Sequence, residues 1–468
     1  LHFESWRQLP ASFREGCGLN RRVIILAALF AWFWLIAPVG AATLAPVVPP
    51  GAEPSNHFNV EIATNAWLAK VAGPERQKSD AYFEGGYWLI LWDFLATAGV
   101  MLLLLETKAS AWMRDFAERA TRLRFFQYWF YFLELVVASS ILTFPLTVYE
   151  GWLREHQYDL SNQSFGAWFA EQLIGMALTL VFGGLAFSAL IAVARRLPRT
   201  WAVWGTVIAL LFVAISAIVY PVFIAPLFNK YKPLENQVVK SQILSMARAN
   251  GIPVRDVYEV DASRQSKRVS ANVSGLFGTT RITLNDNLLS RCSPQAIMAT
   301  MGHEMGHYVL HHALTGLLFG AIVIFALFAV LRFGLEKLVA RYGKRWSLDS
   351  PLDLAAVPVA VLILSTFGLL LTPVQNSFTR MQEYEADIFG LNASRQPDGE
   401  AEVDLLLGEY RKLDPGPLEE MVFFDHPSGR TRITAAMRWK AENLCLFSED
   451  LPCGGLVQGV SATNRAGR

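Results

Sequence analysis

Seven stretches of the chain run apolar for long enough to cross a bilayer: approximately 23–43, 86–106, 125–149, 168–194, 201–227, 313–333 and 355–378. A helix needs about 20 mostly apolar residues to span the hydrocarbon layer. Each stretch sits between polar or charged segments, and none shows the period-2 alternation of a barrel strand. A buried core helix would explain one or two such runs, not seven. The pattern predicts a multi-pass α-helical membrane protein. The first stretch has a second reading. Arg21 and Arg22 precede it and Ala41 and Ala42 follow it, as in a cleavable signal peptide. Its length and the internal Trp32 and Trp34 favour a retained anchor.

The polar intervals set the domain organisation. Residues 1–227 form an N-terminal membrane domain with five predicted spans, and residues 313–378 a two-span hairpin. The intervals 228–312 and 379–468 are each small for a separate core. Together they are expected to make one mostly helical soluble domain with a small sheet, split by the hairpin. Within the first interval, 235–249 reads as a helix ended by Asn250-Gly251. Val257, Tyr258 and Val260 suggest a strand, and 269–276 with 281–284 a hairpin across Gly278-Thr279-Thr280. Ser293-Pro294 has the form of an N-cap followed by proline at the first helical position. The helix it opens is expected to run without a break into the sixth span. No period of 20 to 50 residues is visible, which excludes repeat architectures.

Composition agrees with the pattern. The 468 residues are 53% hydrophobic and only 17% charged, with a mean hydropathy of +0.30. The formal net charge of +1 gives no reason to expect nucleic acid as a partner. The bilayer is the expected partner. Asp93 and Glu134 fall inside predicted spans, where facing lipid is costly, so they line an interior space or pair with other polar groups.

The chemistry centres on His303-Glu304-Met305-Gly306-His307, an H-E-x-x-H motif on a predicted helix. Spacing of i and i+4 puts both imidazoles on one face, able to share a metal, with Glu304 beside them as a candidate general base. Zinc suits this arrangement because it acidifies a water and polarises a carbonyl. The extended pattern with a third histidine fails, because Leu310 and Ala313 occupy its glycine and histidine positions. The third ligand is then sought on a later helix. Glu383-Tyr384-Glu385-Ala386-Asp387 offers Glu383 as that ligand and Asp387, one turn on, as a hydrogen-bond partner for a ligand histidine. The bland reading of these acids is a solvated helix face. His311 and His312 follow the motif closely, and a membrane-interface role is as good a reading for either. Residues 425–432 supply His426, a candidate donor to a tetrahedral oxyanion, and Arg432, a candidate to orient substrate or neighbouring carboxylates. On spacing alone a capped surface turn explains them equally well.

These residues resemble the M48 metallopeptidases, specifically the CAAX prenyl protease 1 (Ste24-type) family. The resemblance extends through Tyr220-Pro221-Val222-Phe223-Ile224-Ala225-Pro226-Leu227-Phe228-Asn229-Lys230-Tyr231-Lys232-Pro233-Leu234, through Arg281-Ile282-Thr283-Leu284-Asn285-Asp286-Asn287-Leu288-Leu289, and through the 383–387 and 426–432 segments. With the order of spans it covers roughly residues 55–440. It implies a zincin-like protease domain, one Zn2+ held by His303, His307 and Glu383, and Glu304 as catalytic base. It further implies a proton-donating or supporting role for Asp387, and oxyanion or substrate contacts for His426 and Arg432. Seven helices around a large intramembrane chamber, and cleavage near the C-terminus of prenylated CAAX proteins or of other peptides, are also implied. By analogy the 269–276 strand would pair with extended substrate, giving Ser270 and Asn272 as substrate-binding candidates. Here the chain departs from the family: Ser270-Ala271-Asn272 stands where many members carry an Asn-Ala-Tyr type of sequence, so side-chain contacts made by those residues do not transfer.

Loop charges bear on orientation. The loops sharing a side with the N-terminus carry 16 Lys and Arg, against 4 in the short opposite loops. That bias places the N-terminus in the cytoplasm and the protease domain outside, as in a bacterial inner-membrane protein with a periplasmic catalytic domain. Cys445 and Cys453 are close enough for a small disulfide loop, which fits an oxidising compartment. Three other functions compete with CAAX-type processing. One is a quality-control protease without prenyl specificity. Another is a non-catalytic chamber protein binding hydrophobic or lipidated ligands, which would not require Glu304. The third is a transporter, which the lack of repeated halves disfavours.

Overall fold

The computed structural model describes residues 45–275 and 280–451. The predicted span at 23–43, Cys453 and most of the 278–280 turn lie outside them. Helix α1 covers Val60–Leu68, capped by Asn59, whose side chain accepts from the amides of Glu61 and Ile62. There follow α2 (Pro74–Glu106), α3 (Ala109–Ala120), α4 (Arg124–Gln157), α5 (Phe165–Arg196) and α6 (Trp201–Phe228). Together with α10 and α11, introduced below, the helices α2, α4, α5 and α6 make six that are long and apolar enough to cross a membrane. They match the six predicted spans within the described residues. The most apolar stretch, in α6, has a mean hydropathy of 2.8 and none of its residues buried. Such a surface is stable against hydrocarbon and not against water. The chain is an integral multi-pass membrane protein. An apolar cavity of about 510 Å³ lies among α2, α4, α5, α6, α10 and α11. Asp93 hydrogen-bonds to Glu150 on α4, whereas Glu134 leaves Oε2 buried with no partner among the described residues.

The polar intervals build a four-stranded sheet against helices. Strands β1 (Tyr231–Pro233), β2 (Val257–Val260), β3 (Ala271–Ser274) and β4 (Arg281–Asn285) lie in the order β1-β2-β4-β3. The β2–β4 pair is parallel and the other two pairs are antiparallel, so β3 is an edge. Between β1 and β2 runs α7 (Gln237–Ala249), which starts two residues later than predicted because Asn236 caps it. After α8 (Asp286–Arg291) comes α9 (Pro294–Val309), capped by Ser293 Oγ with Pro294 at its first turn. Val257, Ile282 and Leu284 of the sheet, Ile243 of α7 and Ile297, Met301 and Met305 of α9 are almost fully buried in one core, which Val403 joins from the last interval. Side-chain burial of this kind stabilises by roughly 1.5–3 kcal/mol per large aliphatic residue.

One expectation is corrected here. The motif helix does not continue into the membrane. Helix α9 ends at Val309, His311 takes a left-handed backbone with φ of 58°, and a new helix α10 (His312–Trp346) begins. The return helix α11 (Leu354–Ser394) is the one that runs unbroken from the membrane into the soluble domain. It leads to α12 (Pro397–Leu407), α13 (Pro417–Phe423) and α14 (Gly429–Glu442).

Candidate active site

Small residues bring α9 and α11 into main-chain contact. A Cβ placed on Gly302 would lie 2.8 Å from Gly390 O, and one on Gly306 would lie 3.1 Å from Ala386 Cα. Gly302-x-x-x-Gly306 therefore faces Ala386-x-x-x-Gly390 at a spacing that larger side chains forbid. Glu383, one turn before Ala386, is thereby held against the two histidines of α9.

The three donors converge. His303 Nε2 is 3.1 Å from His307 Nε2 and 3.3 Å from Glu383 Oε2, and His307 Nε2 is 3.5 Å from Glu383 Oε1. Ligands at ~2.0–2.1 Å from a tetrahedral zinc stand about 3.3 Å apart, so these separations fit a zinc-sized ion. His303, His307 and Glu383 form a group able to hold a metal. Glu383 Oε2 is buried with no hydrogen-bond partner among the described residues, an unsatisfied acceptor of the kind a cation satisfies.

Each imidazole is fixed from behind. His303 Nδ1 lies 2.8 Å from Asp387 Oδ1. Asp387 in turn receives Arg432 Nε at 3.0 Å and Nη2 at 2.6 Å, and the same guanidinium reaches Glu400 and Asp404, each at 3.0 Å. Burial works against the Arg432 charge, but the three carboxylates outweigh it and hold its pKa well above the ordinary value. Burial raises both Glu400 and Asp404, against the pull of Arg432. Behind His307 stands His312, with Nδ1 to Nδ1 at 2.9 Å, and His312 Nε2 approaches Glu385 Oε2 at 3.2 Å. The break at His311 turns His312 inward. Of the two histidines left open by the sequence, His312 joins the site.

Without a metal charge, burial opposes the His303 imidazolium, but the hydrogen bond to Asp387 and the nearby Glu383 carboxylate outweigh it and raise its pKa. Burial and the neighbouring His303 charge push His307 down to about 4. Burial pushes Glu304 up to about 7. Glu304 lines a cleft of about 220 Å³ together with Ser270, Ala271, Thr300, His303 and His426. His426 Nε2 comes within 3.3 Å of Glu383 Oε2, while its Nδ1 is held by Asp425 Oδ1 at 2.8 Å.

These positions locate the substrate-binding candidates of the sequence. Arg432 borders the cleft but is buried, and its guanidinium is taken up by Asp387, Glu400 and Asp404, so of the two roles the sequence offered its contacts favour orienting carboxylates. Asn272 does not line the metal-side cleft and faces a separate pocket. Ser270 does line the cleft, but its carbonyl accepts from Asn285 N and its amide donates to Asn285 Oδ1. In an antiparallel ladder alternate residues turn their main chain to the partner. Asn272 and Ser274 therefore also face β4, and Ala271 and Val273 present the free edge. Sequence reading missed Glu400, Asp404 and Glu385 as members of the network. The Gly302, Gly306 and Gly390 spacing was its available signal for the helix contact.

Two family models match adjoining parts of the chain. Peptidase family M48 matches residues 233–440, and the CAAX prenyl protease N-terminal model, with its five membrane helices, matches residues 67–230. The chain belongs to the M48 family. Its M48 relatives include the uncharacterized metalloprotease YhfN of Bacillus subtilis, 29% identical over 352 residues, covering 74% of this chain and 82% of that protein. CAAX prenyl protease 1 of Saccharomyces cerevisiae is 26% identical over 320 residues, covering 64% and 69%. The crystal structure of S. mikatae Ste24p superposes with a TM-score of 0.65 at 19% identity, over 80% of this chain and 93% of that one, so the fold is shared. An M48 chain of Ste24 type, built on membrane helices and carrying this donor set, is a membrane metalloendopeptidase resembling the CAAX prenyl proteases.

Proposed function

We propose that the metal is zinc, bound by His303, His307 and Glu383, and that the enzyme hydrolyses peptide bonds with Glu304 as general base. The observation that carries this reading is the triangle of donor atoms 3.1–3.5 Å apart around an unsatisfied Glu383 oxygen. Bound there, zinc would acidify a water to a pKa of ~7 and polarise the scissile carbonyl. Glu304 accepts the water's proton and returns it to the leaving amine, for which a pKa near the working pH is suited. His426, anchored by Asp425, donates toward the oxygen on which negative charge develops. Asp387, backed by Arg432, fixes the ring and proton of His303, and His312 does so for His307. Substrate adds as an extended strand to the β3 edge beside the cleft, through the main chain of Ala271 and Val273.

The substrate is a peptide or membrane-associated protein, with prenylated CAAX sequences the leading class, given the relatives. An envelope quality-control protease is the alternative. Assays on a farnesylated CAAX peptide and on an unmodified unfolded protein separate the two: cleavage of the unmodified protein alone would reject prenyl specificity. The excess of basic residues in the loops on the N-terminal side supports a periplasmic protease domain in a bacterial inner membrane. A C-terminal alkaline phosphatase fusion should be active. An inactive fusion, with a fluorescent GFP fusion at the same point, would reverse that orientation.

A further inference from the structure

Beyond the metal-side cleft, β3 borders a second pocket. About 360 Å³ of space lies between the outer face of the sheet and the end of α6, next to Asn272, Ser274, Arg281, Thr283, Tyr231 and Tyr220. Strand register explains the grouping: Asn272 pairs with Thr283 and Ser274 with Arg281, and cross-strand partners share a face. The opposite face, with Ile282 and Leu284, is packed into the core.

No carboxylate lines this pocket among the described residues. Arg281 stacks over Tyr231 and Tyr258, at 4.4 and 5.4 Å from the ring centroids, and makes no ion pair among the described residues. Its Nε is buried without a hydrogen-bond partner there. Thr283, only 5% exposed, likewise leaves Oγ1 buried and unpartnered. Two unsatisfied donors, one of them cationic, line a space large enough for a side chain, and an anion supplies what both lack.

The edge strand names the source of that anion. A peptide added to β3 alternates its side chains between the two faces, so a residue beside Asn272 or Ser274 points into the pocket. Ser270 lies in the cleft, and Asn272 and Ser274 follow about 7 and 13 Å along the strand at ~3.3 Å per residue.

We propose that this pocket binds a carboxylate of the peptide substrate, two to four residues from the scissile bond, with Arg281 as its counter-ion. The proposal rests on addition of substrate to β3. Two carboxylates qualify, and strand polarity separates them. β3 runs away from the cleft, so an antiparallel substrate brings an acidic side chain on the N-terminal side of the scissile bond. A parallel substrate brings the C-terminal side, including a free terminal carboxylate.

The test uses the zinc-loaded full-length enzyme in detergent with a peptide that it cleaves. Glu and Gln are exchanged at each of the four positions on either side of the scissile bond, and the C-terminus is made as free acid and as amide. One carboxylate should raise kcat/KM by roughly tenfold over its neutral isostere. That preference should fall to about onefold in Arg281→Gln and persist in Arg281→Lys. Preference for an upstream Glu identifies the side-chain source, and preference for the free acid identifies the terminus. Equal rates for every acid and its isostere in the wild-type enzyme would overturn the proposal, even if Arg281→Gln does not fold. So would an undiminished preference in folded Arg281→Gln. Failure of the wild type to cleave any peptide strikes instead at the proposed proteolysis.

Discussion

Gly302 and Gly390 meet main chain to main chain, so that a Cβ on Gly390 would lie 2.8 Å from the amide nitrogen of His303. His303, next to Gly302, and the helix that carries Glu383 are thus set by one contact that tolerates no side chain. Replacing Gly390 by Val should force the helices apart, costing about 1–3 kcal/mol as other overpacked cores do. Loss of bound zinc should exceed the loss of secondary structure, as read by metal analysis beside circular dichroism. Full zinc content in the variant would show that the spacing is not what positions Glu383.

His312 should matter although it stands outside the donor triangle. Removing groups that hold a ligand imidazole commonly costs 10–100-fold in metal affinity. His312→Ala is expected to weaken zinc binding on that scale in a chelator competition, whereas His311→Ala should stay near wild type. The reverse order would mean that the backbone break at His311 has been given the wrong purpose.

Arg432 sits among three buried carboxylates, and its removal leaves them uncompensated. Arg432→Met is expected to destabilise by about 3–5 kcal/mol, as breaking a buried ion pair does. The sign of the pH dependence follows from Asp404, whose pKa burial raises in the folded protein. The folded state then binds that proton more tightly than the unfolded state, so stability falls as pH rises through the raised value. Asp404→Asn should remove this part of the slope in thermal unfolding at a series of pH values. An unchanged slope would assign it to other groups.

Activity should show an acidic limb of the opposite sense. As the proposed base Glu304 would work as a carboxylate, and without a metal charge burial pushes it up to about 7. Rate is therefore lost as pH falls through its pKa, tenfold per unit. A cation beside it favours the ionised form, so the limb in the loaded enzyme lies at or below about 7. A kcat/KM profile whose acidic limb is centred well above 7 would point to a different base.

Much of this was readable in the chain. The membrane helices follow from apolar run length, because lipid imposes one hydrogen-bonding solution on the backbone. His303, Glu304 and His307 were legible because i and i+4 on one helix need no knowledge of the rest of the fold. Glu383 and Asp387 required a second helix, and only their E-x-x-x-D spacing and place after a span singled them out. Arg432 was identified, but its occupation by Glu400 and Asp404 depends on how α12 and α14 pack, which no local pattern encodes. The helix break was missed for a related reason: nothing in Leu310-His311-His312 has the low helix propensity of proline or glycine, and tertiary packing decides it. The register of β3, which leaves Ala271 and Val273 on the free edge, is likewise set by pairing with β4.

The most direct test of the central claim compares the wild type with Glu304→Gln and Glu383→Ala, measuring bound zinc and peptide cleavage on the same preparations. The account predicts about one zinc per chain in the wild type and in Glu304→Gln, with cleavage lost in the latter, and loss of both zinc and cleavage in Glu383→Ala. Equal cleavage by wild type and Glu304→Gln, or full zinc in Glu383→Ala, would contradict it.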